Sequence, residues 1–112
     1  MQLRLKAEAR QKIAAQVREK TAVAGLKAAR ITVRDQVTRW GSCAANGNLA
    51  FNWRLICAEP FVLDYVVAHE VAHLVHMDHS RRFWRIVDAL CPEADAARSW
   101  LAKNGNDLMR YG

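Results

Sequence analysis

A chain of 112 residues, 52% apolar and 25% charged with a formal net charge of +6, has material for one hydrophobic core and too little for two independent ones. No uninterrupted apolar run approaches the ~20 residues that cross a bilayer, and Met1-Gln2-Leu3-Arg4-Leu5-Lys6 leads into a charged segment without the apolar centre of a secretion signal. Membrane-spanning and secreted classes are set aside, and the expectation is a single domain over residues 1–112 in the cytoplasm.

The first element is a helix from about Arg4 to Ala24. Leu5, Ala9, Ile13 and Val17 recur every fourth residue among Arg, Lys, Glu and Gln, so one stripe faces inward. Gly25 is a natural stop. Ten Lys and Arg fall within the first 39 residues against Glu8, Glu19 and Asp35, whereas the remainder holds seven against eight acids. A nucleic-acid partner would use such a basic N-terminal region through counterion release. A solvated helix face is the plainer account, and no aromatics cluster beside the lysines to stack bases.

Ile31-Thr32-Val33-Arg34-Asp35 alternates apolar and polar residues and reads as a half-buried strand. Gln36-Val37-Thr38 leads into a second short strand, Arg39-Trp40-Gly41-Ser42-Cys43. The Asn46-Gly47 pair is a strong hairpin cue, and Leu49-Ala50-Phe51-Asn52-Trp53 returns as a third strand. Residues 39–43 or 48–53 are expected to offer a sheet edge to which an extended peptide can add itself. Trp40 and Trp53 are read as core, and Gly41 as a point of close backbone approach. Cys43, Cys57 and Cys91 are odd in number and form no C-x-x-C pair, so neither a disulfide framework nor a zinc knuckle is expected. Cys43, closing the Arg-Trp-Gly-Ser-Cys motif, is the one placed to face a site.

Pro60 suits the first turn of a helix and Glu59 its positive end. Phe61 through Val75 is nearly all apolar, broken at adjacent turns by His69, Glu70 and His73. Residues four apart stack on a helix, so His69 and His73 project from one face toward a single ion, and Glu70 stands at the rim of that face. Polar groups inside an apolar helix are costly unless paired or coordinated. A catalytic metal commonly takes a third protein ligand and keeps one position open. His76 on a continued helix would lie about 10 Å along the axis from His69, too far for bonds of ~2 Å. His79 reaches only if the chain turns at Met77-Asp78, with Ser80 capping a new helix from Arg81 to Leu90. His79 is therefore favoured over His76, with Asp88 and Glu93 as outer alternatives. Tyr65 lies one turn before His69 on the same side. Phe83, Trp84, Val87 and Leu90 give the next helix an apolar face to pack on the first. Pro92 opens a last short helix through Trp100 and Leu101, ending near Asn104-Gly105.

Three ordered stretches, Arg39-Trp40-Gly41-Ser42-Cys43, Asp64 through Leu74, and His79-Ser80-Arg81-Arg82-Phe83-Trp84, resemble the YgjP-like (DUF45) metallopeptidase family, relatives of the SprT-like and WLM zincins. The resemblance covers roughly residues 26 to 105. It implies a small zincin-like α+β domain: an N-terminal helix, a three-stranded, mainly antiparallel sheet, the HExxH helix and C-terminal helices. It also implies His69, His73 and His79 as ligands of Zn2+ and Glu70 as general base. Members are often about twice as long, with an extra β-rich N-terminal region, so the expectation is either a minimal single-domain member or a fragment of a longer chain.

The expected chemistry is hydrolysis of peptide bonds in a protein or peptide substrate by metal-activated water. Arg39, Tyr65, His76 and Arg82 are the candidates for substrate or transition-state contacts. One alternative keeps the metal and hydrolyses a nucleotide phosphoanhydride, with Arg39, Arg81 and Arg82 on the phosphates. Another is a zinc protein that binds DNA or protein through the basic N-terminal face, or a DNA-associated protease by analogy with the SprT-like relatives.

Overall fold

The computed structural model describes residues 3–36 and 38–110. Met1 and Gln2 of the N-terminal reading, and Val37 of the lead into the second strand, lie outside the described residues. The elements are α1 (Leu3–Ala24), β1 (Arg30–Arg34), β2 (Gly41–Cys43), β3 (Asn48–Asn52), a 3-10 helix (Trp53–Cys57), α2 (Pro60–Ala72), α3 (Arg81–Leu90) and α4 (Ala94–Met109). The class is α+β, as the sequence implied.

The stripe of α1 buries Ala9, Ile13 and Val17, with Leu5 packed at its margin. Gly25, at φ 69, ends the helix in a conformation a side chain would resist. Lys20 continues the stripe inward although charge counting assigns it to the basic face. Its ammonium is 2.5 Å from Asp64 Oδ1 and donates to the Leu90 carbonyl at 2.6 Å. A buried ammonium is tolerable only with such partners, and these two tie α1 to α2 and to the end of α3.

The sheet has the order β1-β3-β2. β2 and β3 are antiparallel, with Gly41 opposite Phe51 and Cys43 opposite Leu49, whereas β1 pairs with β3 in parallel. The sheet is thus mixed rather than mainly antiparallel. Asn46-Gly47 dictates the hairpin, with Gly47 at φ 90, but no sequence cue says that β1 takes the far side of β3. Two direction reversals between them leave β1 and β3 running the same way. The middle strand is therefore β3, and of the two stretches expected to give a free edge only β2 does so. Trp53 is core at 3% exposure, yet it opens the 3-10 helix instead of ending the strand. The buried Asn52 side chain accepts from Arg54 N–H at 3.1 Å and so turns the chain.

α2 lies among α1, α3, α4 and β2, which explains why its sequence is apolar on all sides. Pro60 sits in its first turn; the Glu59 side chain makes no capping bond. The helix stops at His73: its N–H donates to His69 O at 3.3 Å, and Leu74 N–H then donates to Val71 O at 3.0 Å, tightening the last turn before the chain leaves. Ser80 Oγ accepts from Phe83 N–H at 3.3 Å and caps α3.

α4 starts at Ala94 rather than Pro92 and runs through Asn104-Gly105 to Met109. Gly105 does not act as a stop because it keeps a helical φ and is buried against Trp40, whose ring would stand 3.6 Å from a Cβ there. No helix among the described residues is long and apolar enough to cross a membrane.

Candidate metal centre

The break after α2 is what assembles the site. His69 and His73 stack one turn apart, the chain reverses over Leu74–Asp78, and His79 returns beside them just before α3. One ligand atom from each of His69, His73 and His79 lies within 4.8 Å of the others. The spread is slightly wider than two bonds of ~2.1 Å to one ion allow, so ligation would draw the rings together; His79 is the exposed member of the three.

Two of the rings are held from behind. Tyr65 Oη lies 3.3 Å from His69 Nδ1, and His73 Nδ1 donates to the His76 carbonyl at 2.9 Å. Each contact engages Nδ1 and leaves Nε2 as the nitrogen available to a metal, the arrangement in which an outer partner fixes the tautomer of a metal-binding histidine. His76 thus contributes its backbone, not its imidazole. Asp88 and Glu93 are exposed and do not join the cluster.

Phe83 is the plate against which all three imidazoles rest. It stacks on His73 with centroids 4.3 Å apart and meets His69 and His79 edge-on at 5.0 Å each. Fully buried, it keeps water from one side of the cluster. Trp84 adds contacts to His69 and His79 and carries Arg98 of α4 4.5 Å above its ring. Burial, then the charges of His73 and His79, push His69 down to about 4; burial likewise lowers His73. Burial thus favours the neutral form of both rings, the form that ligates a metal.

Glu70 is 5% exposed, and burial pushes its carboxyl up to about 7 against the opposing pull of Arg39. Its position depends on Gly41: a Cβ at that residue would stand 2.9 Å from Glu70 Oε2, 3.0 Å from its Cγ and 3.2 Å from Val66 Cγ1. The backbone of β2 therefore lies directly against the carboxylate. Asn52 holds this approach. Its amide donates to the carbonyls of Gln36 and Arg39 at 2.5 and 3.2 Å, and its backbone N–H donates to Trp40 O at 2.9 Å. Sequence reading missed this clamp; an asparagine ending an otherwise apolar strand was the available signal.

A cleft of about 350 Å3 opens over the cluster, bounded by Arg39, Glu70, the β2 residues Gly41–Cys43 and the three histidines. Cys43 does face it, and burial and then the Glu70 charge raise its thiol pKa, which keeps it protonated. Of the contacts expected from sequence, Arg39 lines the cleft and Tyr65 backs His69. Arg82 is exposed in the first turn of α3 and is not among the cleft residues.

Fold and geometry define a class: a small α+β domain in which a histidine of α2, its C-cap histidine and a third from the turn before α3 form a cluster that could hold one metal ion. The sequence model of the YgjP-like family, described as a metallopeptidase domain, matches residues 1–104, and the chain belongs to that family. The match takes in α1, which the motif resemblance beginning near residue 26 left out. No curated protein and no solved structure matches the chain.

Proposed function

We propose that the protein is a zinc-dependent peptidase in which His69, His73 and His79 hold the metal and Glu70 is the general base. The observation that carries this reading is the convergence of three imidazoles, two of them fixed through Nδ1, beside a buried carboxyl at the free strand edge β2. A set of imidazole donors suits Zn2+ among the common metals. When bound, zinc supplies a Lewis acid that lowers the pKa of water from about 16 toward ~7.

The chain's own groups account for the rest. A substrate backbone pairs with β2 in extended form and so presents its carbonyl to the cleft. Glu70 takes the proton of the attacking water and passes it to the leaving amine, for which a carboxyl near neutrality is well matched. Arg39 stands at the cleft to offset charge on the carbonyl oxygen. The three free cysteines suit the reducing cytoplasm.

Of the arginines considered for phosphate binding, only Arg39 borders the cleft; Arg81 and Arg82 are exposed on α3. The test is direct. Metal-free protein given Zn2+ is expected to cut unstructured peptides and to leave nucleoside triphosphates intact, with activity removed by a chelator. Triphosphate hydrolysis without peptide cleavage would overturn the reading.

Two substitutions probe the supports. Tyr65→Phe removes the partner of His69 Nδ1 and is expected to weaken zinc binding by about 10–100-fold, the usual effect of losing such a partner, as read by competition with a chromogenic chelator. Gly41→Ala forces the flexible Glu70 side chain aside, since that is the cheapest relief of the 2.9 Å contact. Turnover should fall by about 10²-fold, the scale of an ångström's misplacement, while zinc content and melting temperature stay near wild type.

A further inference from the structure

A second hollow, of about 290 Å3, adjoins the metal cleft and shares Arg39, Gly41, His69 and Glu70 with it. His69 and Glu70 line it, whereas His73 and His79 line only the metal cleft. Its walls are Trp40, Tyr65, Val66 and Leu101, contributed by the approach to β2, by the turn of α2 before His69, and by α4. We propose, resting on the peptidase reading above, that this hollow receives the side chain of the substrate residue that supplies the leaving amine, and that it selects a medium-sized apolar one.

The placement follows from what Glu70 has to do. To protonate the departing nitrogen it must lie beside the residue that carries that nitrogen, and the hollow is bounded by Glu70 but not by His73 or His79. Along a strand, side chains alternate between faces, so a peptide paired with β2 directs the side chain next to the cut bond either into this hollow or into solvent. Trp40, Tyr65, Val66 and Leu101 carry no charge, and the charged groups of the hollow, Arg39 and Glu70, lie on the border it shares with the metal cleft, so a charged side chain seated among the four walls would lose hydration that an apolar one does not have. The volume is at the low end of the ~300–1,000 Å3 of pockets that enclose whole small molecules, which fits one side chain. The walls are also anchored: Asn52 holds the Trp40 carbonyl, and the Trp40 ring lies over Gly105 of α4.

The experiment uses the zinc-loaded full chain and a peptide mixture varied at the residue following the cut bond, with products read by mass spectrometry. Cleavage before Leu, Met or Phe is expected at least about 10-fold faster than before Gly or Asp, the scale set by apolar pockets. Leu101→Phe should shift the preference toward Ala, and Leu101→Ala toward Phe and Trp. A purely structural role for Leu101 would not move the preference in opposite directions. Cleavage without preference, or a preference untouched by both variants, overturns the pocket and leaves the peptidase reading standing. If no peptide is cut, that reading fails, and the pocket is judged on the metal-free protein by the indole NMR signal of Trp40. A saturable shift with a leucinamide-ended peptide, absent with the glycinamide analogue and in Leu101→Phe, supports it; no shift overturns it.

Discussion

Replacing Glu70 by Gln is expected to lower turnover by about 10²–10⁴-fold, the contribution of a positioned general base, while zinc remains bound in full stoichiometry. The reasoning is steric as much as chemical. The amide matches the carboxyl in size, so the contact with Gly41 and Val66 survives and the cradle is undisturbed. An amide does not accept a proton at any working pH. Because burial raises the Glu70 carboxyl from 4.5 to about 7, its ionisation costs the metal-free fold stability at pH 7, so exchanging it for a neutral side chain should leave the metal-free protein at least as stable as the wild type there. Isotope-dilution metal analysis, a melting curve and a peptide assay on one preparation check the three statements. Undiminished turnover would remove Glu70 from its role.

The second large effect is expected at His79. His79→Ala should weaken zinc binding by more than the ~100-fold typical of an outer partner, because a donor itself is lost. His76→Ala should leave affinity close to wild type, since the group His76 offers to His73 is its carbonyl, which any residue retains. The contrast is informative because both histidines follow the helix within six residues of His73. Equal losses at the two positions would show that His76 is a donor, and a loss at His76 alone would reverse the assignment. Chelator competition reads both variants.

The histidine pattern was legible because it is local. A four-residue spacing on a helix, followed by a break and a Ser cap, fixes where His69, His73 and His79 stand with little help from the rest of the chain. The β2–β3 hairpin was legible for the same reason, through Asn46-Gly47. What escaped reading depends on contacts between distant segments. The side of β3 that β1 occupies, the passage of α4 through Gly105, and the burial of Lys20 against Asp64 are decided by packing partners 18 or more residues away, and no periodicity encodes them. Gly41 was read as a point of close approach, but that Glu70 is what approaches it emerges only when β2 is laid on α2. Phe83 likewise scans as one more apolar position on α3, although it is the surface against which the three rings are ordered.

The triad draws on two rods, α2 and the start of α3, joined by the short reversal over Leu74–Asp78. An ion seated there would work as a clasp between those two segments. Any cation that binds the folded chain and not the unfolded one adds RT ln(1 + [L]/Kd) of stability, about 2.7 kcal/mol at a hundredfold excess over Kd. Zinc supply would then govern the lifetime of this small domain along with its chemistry, so that scarcity leaves fewer intact copies and not merely idle ones.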